Sequence, residues 1–261
     1  MPIRKPSNIT EYLRWLIEEH KYQPERIPPY YALVTRKIKA EFESGGLWAE
    51  LNKQLKEFND QYLVDTGFQL LMTGQNPEIY IKPFDSLVLK TFRKNILENE
   101  NWPAEPRGGW VIPDDFTRAN DILRTLFIVK YLDGVQFLTT RLEAFCNTRN
   151  INSRKFFEAR EQGYYAAHFY LKVQFEIPKL TWDTELVEMS VEIQITTQLQ
   201  ETIRKLLHKY YAQRRQEPTR RVQTPWQWDY RSDEFAANYL GHILHYIEGM
   251  ILEIGEKQAR I

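Results

Sequence analysis

The stretch HFYLKVQFEI, His168–Ile177, alternates without a break: Phe169, Leu171, Val173, Phe175 and Ile177 are apolar, while His168, Tyr170, Lys172, Gln174 and Glu176 take the positions between them. A period of two predicts a strand with one face in a core. MSVEIQIT, Met189–Thr196, repeats the pattern, with Met189, Val191, Ile193 and Ile195 on one side and Ser190, Glu192, Gln194 and Thr196 on the other. Upstream, LRTLFIVKY (Leu123–Tyr131) reads as a third, more apolar strand, followed by an amphipathic helix over Val135–Phe145. Glu78–Ile81 is a short strand-like segment. Strands interleaved with helices predict an α/β or α+β sheet.

The flanks read as helical. Tyr30, Leu33, Val34, Ile38, Phe42 and Leu47, continued by Leu51, Leu55, Phe58 and Leu63, recur at helical steps. Between Glu98 and Asp115 the chain carries Trp102-Pro103, Pro106, Gly108-Gly109 and Pro113, which predicts a loop separating the helical region from the sheet. After Gln198 a helix is expected through Tyr211, then a Gln/Arg/Pro-rich stretch from Gln213 to Gln227, then a last helix over Ser232–Lys257. That helix has a wide apolar face including Phe235, Tyr239, Leu240, Ile243, Leu244, Ile247, Met250, Ile251 and Ile254, expected to pack on the core or to make an oligomer contact. The expected organisation is a helical part over 1–75, a core over 76–211 and a basic linker with its helix over 212–261.

Composition narrows the function classes. The 261 residues hold 35 Lys+Arg against 35 Asp+Glu, so no global attraction draws the chain to nucleic acid, and any phosphate recognition must be local. Aromatics at 14% with zero net charge exclude intrinsic disorder. One cysteine, Cys146, excludes an internal disulfide and reads as a small buried hydrophobe. No run approaches the roughly 20 apolar residues of a membrane span, and no leader is expected, so the chain reads as soluble and cytoplasmic. It has no Gly-rich loop ending in Gly-Lys-Ser/Thr, no His-Glu-x-x-His, no Gly-x-Ser-x-Gly and no Cys-x-x-Cys. His242 and His245 stand three apart within the apolar face of the last helix, where core packing outweighs zinc ligation.

Four features exceed what a simple fold needs. Glu192 and Gln194 emerge side by side from one strand face, about 6.6–7 Å apart. Asp121 precedes the apolar strand, and if the two strands are neighbours, a carboxylate from each can converge on one Mg²⁺, which takes one or two protein carboxylates and fills its shell with water and phosphate oxygens. Lys82, Ser86 and Lys90, four apart, would share one face of a helix and offer two cations and a hydroxyl to a polyphosphate. Gly163–His168 (GYYAAH) is a glycine turn opening into the strand, with aromatics able to stack on a base. Each also has a plainer reading: a solvated strand face, a turn residue, a basic helix face and a hairpin start.

The order of these elements resembles the RelA/SpoT synthetase family, which transfers diphosphate from ATP. The motifs carrying the resemblance are Lys82-x3-Ser86-x3-Lys90, then Asp121 opening a strand, then Gly163-Tyr164 to His168, then Glu192-Ile193-Gln194-Ile195-Thr196-Thr197; His208 falls where the family places a histidine after that strand. Together they span roughly Tyr30 to Tyr211. The resemblance implies a nucleotidyltransferase-like mixed five-stranded sheet flanked by N- and C-terminal helices. It also implies Mg²⁺ and ATP with GDP or GTP as substrates, and (p)ppGpp as product. Asp121 would hold the metal, and Glu192 would share it or take the hydroxyl proton, with Gln194 beside it. Lys82, Ser86, Lys90 and Arg124 would grip the ATP phosphates, and Tyr164, His168 and Arg160 would serve the acceptor. Such chemistry rests on positioning and charge neutralisation.

The chain departs from the family at four positions where an arginine is usual: Tyr80, Leu126, Tyr165 and Thr196. Arg124 lies two residues from Leu126, so it faces the same way in a strand and can compensate; Arg160 and Arg93-Lys94 are further candidates. No His-Asp dipeptide occurs, so the hydrolase domain of long relatives is not expected. Three readings follow. One is a small (p)ppGpp synthetase. Another is a toxin-like enzyme that diphosphorylates the 3′ end of tRNA, suggested by Arg214-Arg215, Arg220-Arg221, Trp226 and Trp228. The third is a degenerate nucleotide-binding regulator. The last helix would carry a homo-oligomer or antitoxin contact.

Overall fold

A computed structural model of the chain describes residues 4–72, 77–179, 183–205 and 225–258. It is a mixed α/β structure with a five-stranded sheet ordered β1-β2-β5-β4-β3. The strands are β1 (Tyr80–Ile81), β2 (Leu123–Val129), β3 (Ser153–Ala159), β4 (Tyr165–Pro178) and β5 (Thr184–Thr197). Helices α1 (Ile9–His20), α2 (Ile27–Ser44) and α3 (Gly46–Thr66) precede the sheet; α4 (Phe84–Phe92) and α5 (Leu132–Asn147) interrupt it; α6 (198–205) and α7 (Asp233–Gln258) follow. Among the described residues, no helix is long and apolar enough to cross a membrane. The helix expected through Tyr211 is described only to residue 205, and His208, Arg214-Arg215 and Arg220-Arg221 lie outside the described residues.

The chain groups into two compact units. The first comprises 1–45, 79–124 and 172–191; the second comprises 46–78, 125–171 and 192–261. In the first, α1 begins where Asn8 accepts the Glu11 N–H and ends where Lys21 turns left-handed. Tyr12, Trp15 and Leu16 pack with Val88, Phe92 and Ile96. The Pro/Gly-rich segment expected to separate helices from sheet instead folds onto this cluster. Trp102 and Trp110 meet Trp15 ring against ring. Buried Asn95 donates to Tyr12 Oη (2.9 Å) and to the Val111 carbonyl (2.8 Å) and accepts from Val111 N. Its amide thus satisfies loop backbone that would otherwise be buried unpaired.

In the second unit, Leu51, Leu55, Phe58 and Tyr62 line the buried side of α3, and Tyr62 donates to the Asp133 carboxylate at the start of α5. β3 and β4 form an antiparallel hairpin from Ser153↔Leu171 to Ala159↔Tyr165. β3, SRKFFEA, escapes a periodicity reading because an edge strand carries charge on both faces to discourage further pairing. The hairpin turn closes with Arg160 N–H to the Tyr164 carbonyl and Gly163 N–H to the Arg160 carbonyl. Gly163 has φ +73°, a left-handed conformation that glycine reaches without strain. Cys146 is buried and free.

Candidate active site

The first unit holds a lysine–aspartate–lysine cluster. Lys82 and Lys90 were expected to share a helix face with Ser86, but Lys82 precedes the helix. Pro83 is the N-cap of α4, and a residue before proline is pushed to extended backbone, so the helix starts beyond it. β1 pairs with β2 at Tyr80↔Arg124 and Ile81↔Leu123, and Lys82 N–H continues the ladder to the Ile122 carbonyl. That register sets Lys82 opposite Ile122 and so next to Asp121, one residue further along. Lys82 Nζ meets Asp121 Oδ2 at 2.8 Å, and Lys90 Nζ, one face of α4 later, meets Oδ1 at 2.8 Å. Tyr31 holds the approach by donating to the Lys82 carbonyl at 2.5 Å. Ser86, in the first turn of α4, is exposed, and no hydrogen bond joins it to the cluster.

The side chains of Lys82 and Asp121 are only 11% and 15% exposed, so their charges are strongly felt. Burial pushes the Asp121 carboxyl up, but Lys90 and Lys82 together outweigh it and hold the group below the usual aspartate value. Burial dominates at Lys82 and leaves its ammonium below the usual lysine value, although Asp121 pulls it up; Lys90 and Arg124 repel it further. Arg124 therefore lies within electrostatic reach of the cluster. Beside it, a cleft is lined by Leu87, Lys90, Lys94, Ile112, Arg118 and Asn120. Arg118 is paired with Asp115 at 3.1 Å. This cleft joins apolar walls to three cations, which the sequence did not show for Arg118 because nothing in its spacing ties it to α4.

The second unit holds Glu192, Gln194, Tyr164, His168 and Arg160, and brings all five together. Glu192 is 6% exposed, so the polar face of β5 is covered rather than solvated. Its Oε1 accepts from Tyr170 Oη at 2.8 Å and lies 2.8 Å from His168 Nδ1. His168 Nε2 lies 2.9 Å from Glu158 Oε2, and Glu158 Oε1 binds Arg160 through Nε (2.8 Å) and Nη2 (2.7 Å). Gln194 Nε2 donates to Tyr164 Oη, and the Arg160 guanidinium sits 5.4 Å from the Tyr164 ring centre. Burial and the nearby Glu158 raise the Tyr164 phenol, so it stays protonated near neutrality.

Strand geometry explains this convergence. His168 and Tyr170 alternate to the same face of β4, as Glu192 and Gln194 do on β5. Glu158, Tyr170 and Phe156 join them although the motifs do not include them. Phe156 pairs with His168 across the hairpin and stacks on it, 4.9 Å between centroids and 10° between planes. The hairpin register alone would have found Phe156 and Glu158, had β3 been recognised.

At the four positions without arginine, Tyr80 lies opposite Arg124 and is half exposed, and Leu126 is partly buried in β2. Tyr165 stacks on His245 at 3.6 Å and 2°, and the Thr196 hydroxyl donates to the Tyr165 carbonyl. His242 and His245 thus serve packing and hydrogen bonding. Among the described residues no three acids, histidines or cysteines cluster as a metal cage. A magnesium ion that arrives with nucleotide phosphates needs only one or two carboxylates. Asp121 offers one such carboxylate.

No protein-family model and no curated protein sequence matches the chain. Among solved structures it is similar to small alarmone synthetase 1 from Bacillus subtilis, with 14% identity over 96% of this chain and 99% of that one, at a TM-score of 0.51. The same synthetase bound to its product pppGpp gives 15% identity, the same coverage and a TM-score of 0.52. The class defined here is therefore one of fold, an α/β sheet with flanking helices. In particular, the fold is similar to that of small alarmone synthetase 1.

Proposed function

We propose that the chain is an ATP-dependent diphosphotransferase that moves the β,γ-diphosphate of ATP to a ribose 3′-hydroxyl, with GDP or GTP as acceptor. The observation that carries this reading is the second-unit cluster: Tyr164, His168, Glu192 and Gln194, the residues of two separate motifs, are tied into one hydrogen-bonded group in a fold similar to that of a (p)ppGpp-making enzyme. The acceptor oxygen attacks the β-phosphorus, the bond from that phosphorus to the α,β-bridging oxygen breaks, and AMP leaves. Glu192 takes the hydroxyl proton; Tyr170 and His168 fix the carboxylate that receives it. Tyr164, backed by Arg160, offers its ring to the guanine base.

Donor phosphates are assigned to Lys82 and Lys90, which release Asp121 as the anion arrives, with Arg124 nearby. Lys94 and Arg118 in the adjoining cleft add the charge that the four absent arginines would have supplied. Mg²⁺ held by Asp121 would neutralise phosphate charge when bound; Glu192 is the alternative protein ligand. The test is incubation of the pure protein with γ-labelled ATP and either GDP or GTP. Label in a guanosine product that vanishes in Glu192→Gln supports the reading, and unlabelled guanine nucleotides with an ATP-binding preparation overturn it.

A second acceptor has its own support. Trp228 is 76% exposed, and beside it Tyr230 is exposed with the Arg231 guanidinium 5.3 Å from its ring centre. Aromatic faces with a cation suit unpaired bases. Bulk tRNA in the same assay decides this: labelled tRNA with clean guanine nucleotides moves the acceptor to a nucleic-acid 3′ end. Nucleotide binding without any transfer leaves a regulator.

A further inference from the structure

We infer that α7 is the positioning element for the acceptor: through Gly241 and His242 it clamps the hairpin turn at 160–164 and thereby sets the place of Tyr164 and Arg160. The role assigned to Tyr164 rests on the proposed function; the clamp itself does not. The turn has few means of its own to stay put, since two backbone hydrogen bonds close it and glycine occupies its left-handed position. What fixes it is direct apposition to a helix backbone. A Cβ placed on Gly163 would lie 2.3 Å from the Asn238 carbonyl oxygen and 3.0 Å from His242 N, and one placed on Gly241 would lie 2.3 Å from the Gly163 carbonyl oxygen. Two glycines, one on each side, are what allow main chain to meet main chain.

His242 completes the clamp with both ring nitrogens. Nε2 is 2.8 Å from the Glu161 carbonyl oxygen inside the turn, and Nδ1 is 2.8 Å from Tyr165 Oη just after it. A carbonyl can only accept, so Nε2 carries the hydrogen, and the Tyr165 hydroxyl completes Nδ1. Gln200 of α6 anchors the other side of the contact by donating to the Gly241 carbonyl at 3.1 Å. His245, one turn along, stacks flat on Tyr165. Tyr165 stands where an arginine would be expected by resemblance; in this chain it is an anchor for α7. The pair of histidines that invited a zinc reading has a job without metal: it holds the turn that carries Tyr164.

Two measurements test this. Hydrogen exchange of peptides covering 160–165 should be about tenfold faster in His242→Ala and in Tyr165→Phe than in the parent, the effect of losing one hydrogen bond. Exchange in α1 and α2 should stay unchanged. His242→Gln, which can still donate to the Glu161 carbonyl, should restore most of the protection. Equal exchange in parent and both variants overturns the clamp, whatever the protein's activity. In the second measurement, titration calorimetry with GDP and with a non-hydrolysable ATP analogue should show acceptor affinity about tenfold weaker in His242→Ala with the ATP-analogue affinity unchanged. Loosened exchange with unaltered GDP affinity would overturn the positioning role. A parent protein that binds the ATP analogue but no guanine nucleotide would instead defeat the acceptor assignment, leaving the exchange result to decide the clamp.

Discussion

Asp121 and Glu248 are both carboxylates withdrawn from water, and the chain treats them in opposite ways. Asp121 has a lysine on each oxygen, which holds its carboxyl below the ordinary value. Glu248, on the inner side of α7 and 5% exposed, has both oxygens buried and no ion pair among the described residues. Burial pushes its carboxyl up to about 7, with only the Thr197 hydroxyl pulling the other way. A buried acid that is paired is a prepared charge; one left alone is a proton holder that opposes its own ionisation. Glu192 is buried too, with hydrogen-bond donors in place of a lysine.

Removing the charge at each position should therefore have effects of different sign. Asp121→Asn leaves Lys82 buried without its counter-ion, and the expected loss of stability is about 3 kcal/mol at neutral pH, the scale for breaking a buried pair. The native carboxyl is depressed, so this contribution is present above the unfolded pKa and is lost as pH falls through the folded one. Chemical denaturation of parent and variant at pH 7 and pH 3 checks it: the gap should narrow in acid. A gap as wide at pH 3 as at pH 7 would show that the lysines are not what holds the carboxylate.

At Glu248 the sign reverses. The folded group binds its proton more tightly than the unfolded one, so stability falls as pH rises from about 4.5 to about 7 and is level above. Glu248→Gln should match the parent near pH 4 and exceed it by up to about 3 kcal/mol at pH 8, the free energy of a shift from 4.5 to about 7. Melting curves across that range would show two lines diverging through the window. Parallel lines would mean that water or a cation reaches the carboxylate.

Asp121 and Glu192 stood out in the letters, and what stayed unread has physical causes. Alternation found β4 and β5 because apolar residues take every second position from Phe169 to Ile177 and from Met189 to Ile195 and face the core. It could not show that Glu192 is buried, since a covered polar face and a wet one have the same pattern. β3 was missed because Phe156 and Phe157 interrupt the period in an edge strand with charges around them. Helical spacing misplaced Lys82, as Pro83 moves the helix start beyond it. Glu158 enters the cluster through hairpin register, which a single strand cannot reveal. Glu248 gave no signal, since one glutamate on the inner face of an apolar helix is indistinguishable from one on the outer face until the helix is docked.

Glu192→Gln tests the third buried acid. Tyr170 can still donate to an amide oxygen, so one hydrogen bond survives and the charge-assisted one to His168 weakens. The expected stability loss is about 1 kcal/mol, well below that of Asp121→Asn. Equal losses at the two positions would mean that donors and ammonium groups stabilise these buried acids alike, and the contrast would fail.

Lys94→Ala gives the smallest effect on folding and separates stability from binding. Lys94 is exposed in the π-helical turn Arg93–Leu97 that follows α4, and no ion pair engages it among the described residues, so its removal should change unfolding free energy by less than about 0.5 kcal/mol. Lys90, four residues earlier and lining the same cleft, is paired with Asp121 and must exchange partners to reach a phosphate. Lys94 has no such exchange to make, and its full Coulombic gain is available to an incoming polyphosphate. Affinity for a non-hydrolysable ATP analogue should fall about tenfold at low salt, and the deficit should shrink as salt screens the pair. A deficit independent of salt would point to lost packing of the side-chain stem against the cleft wall, and an unchanged affinity would remove Lys94 from the donor site, leaving the phosphates to the two lysines that Asp121 already holds.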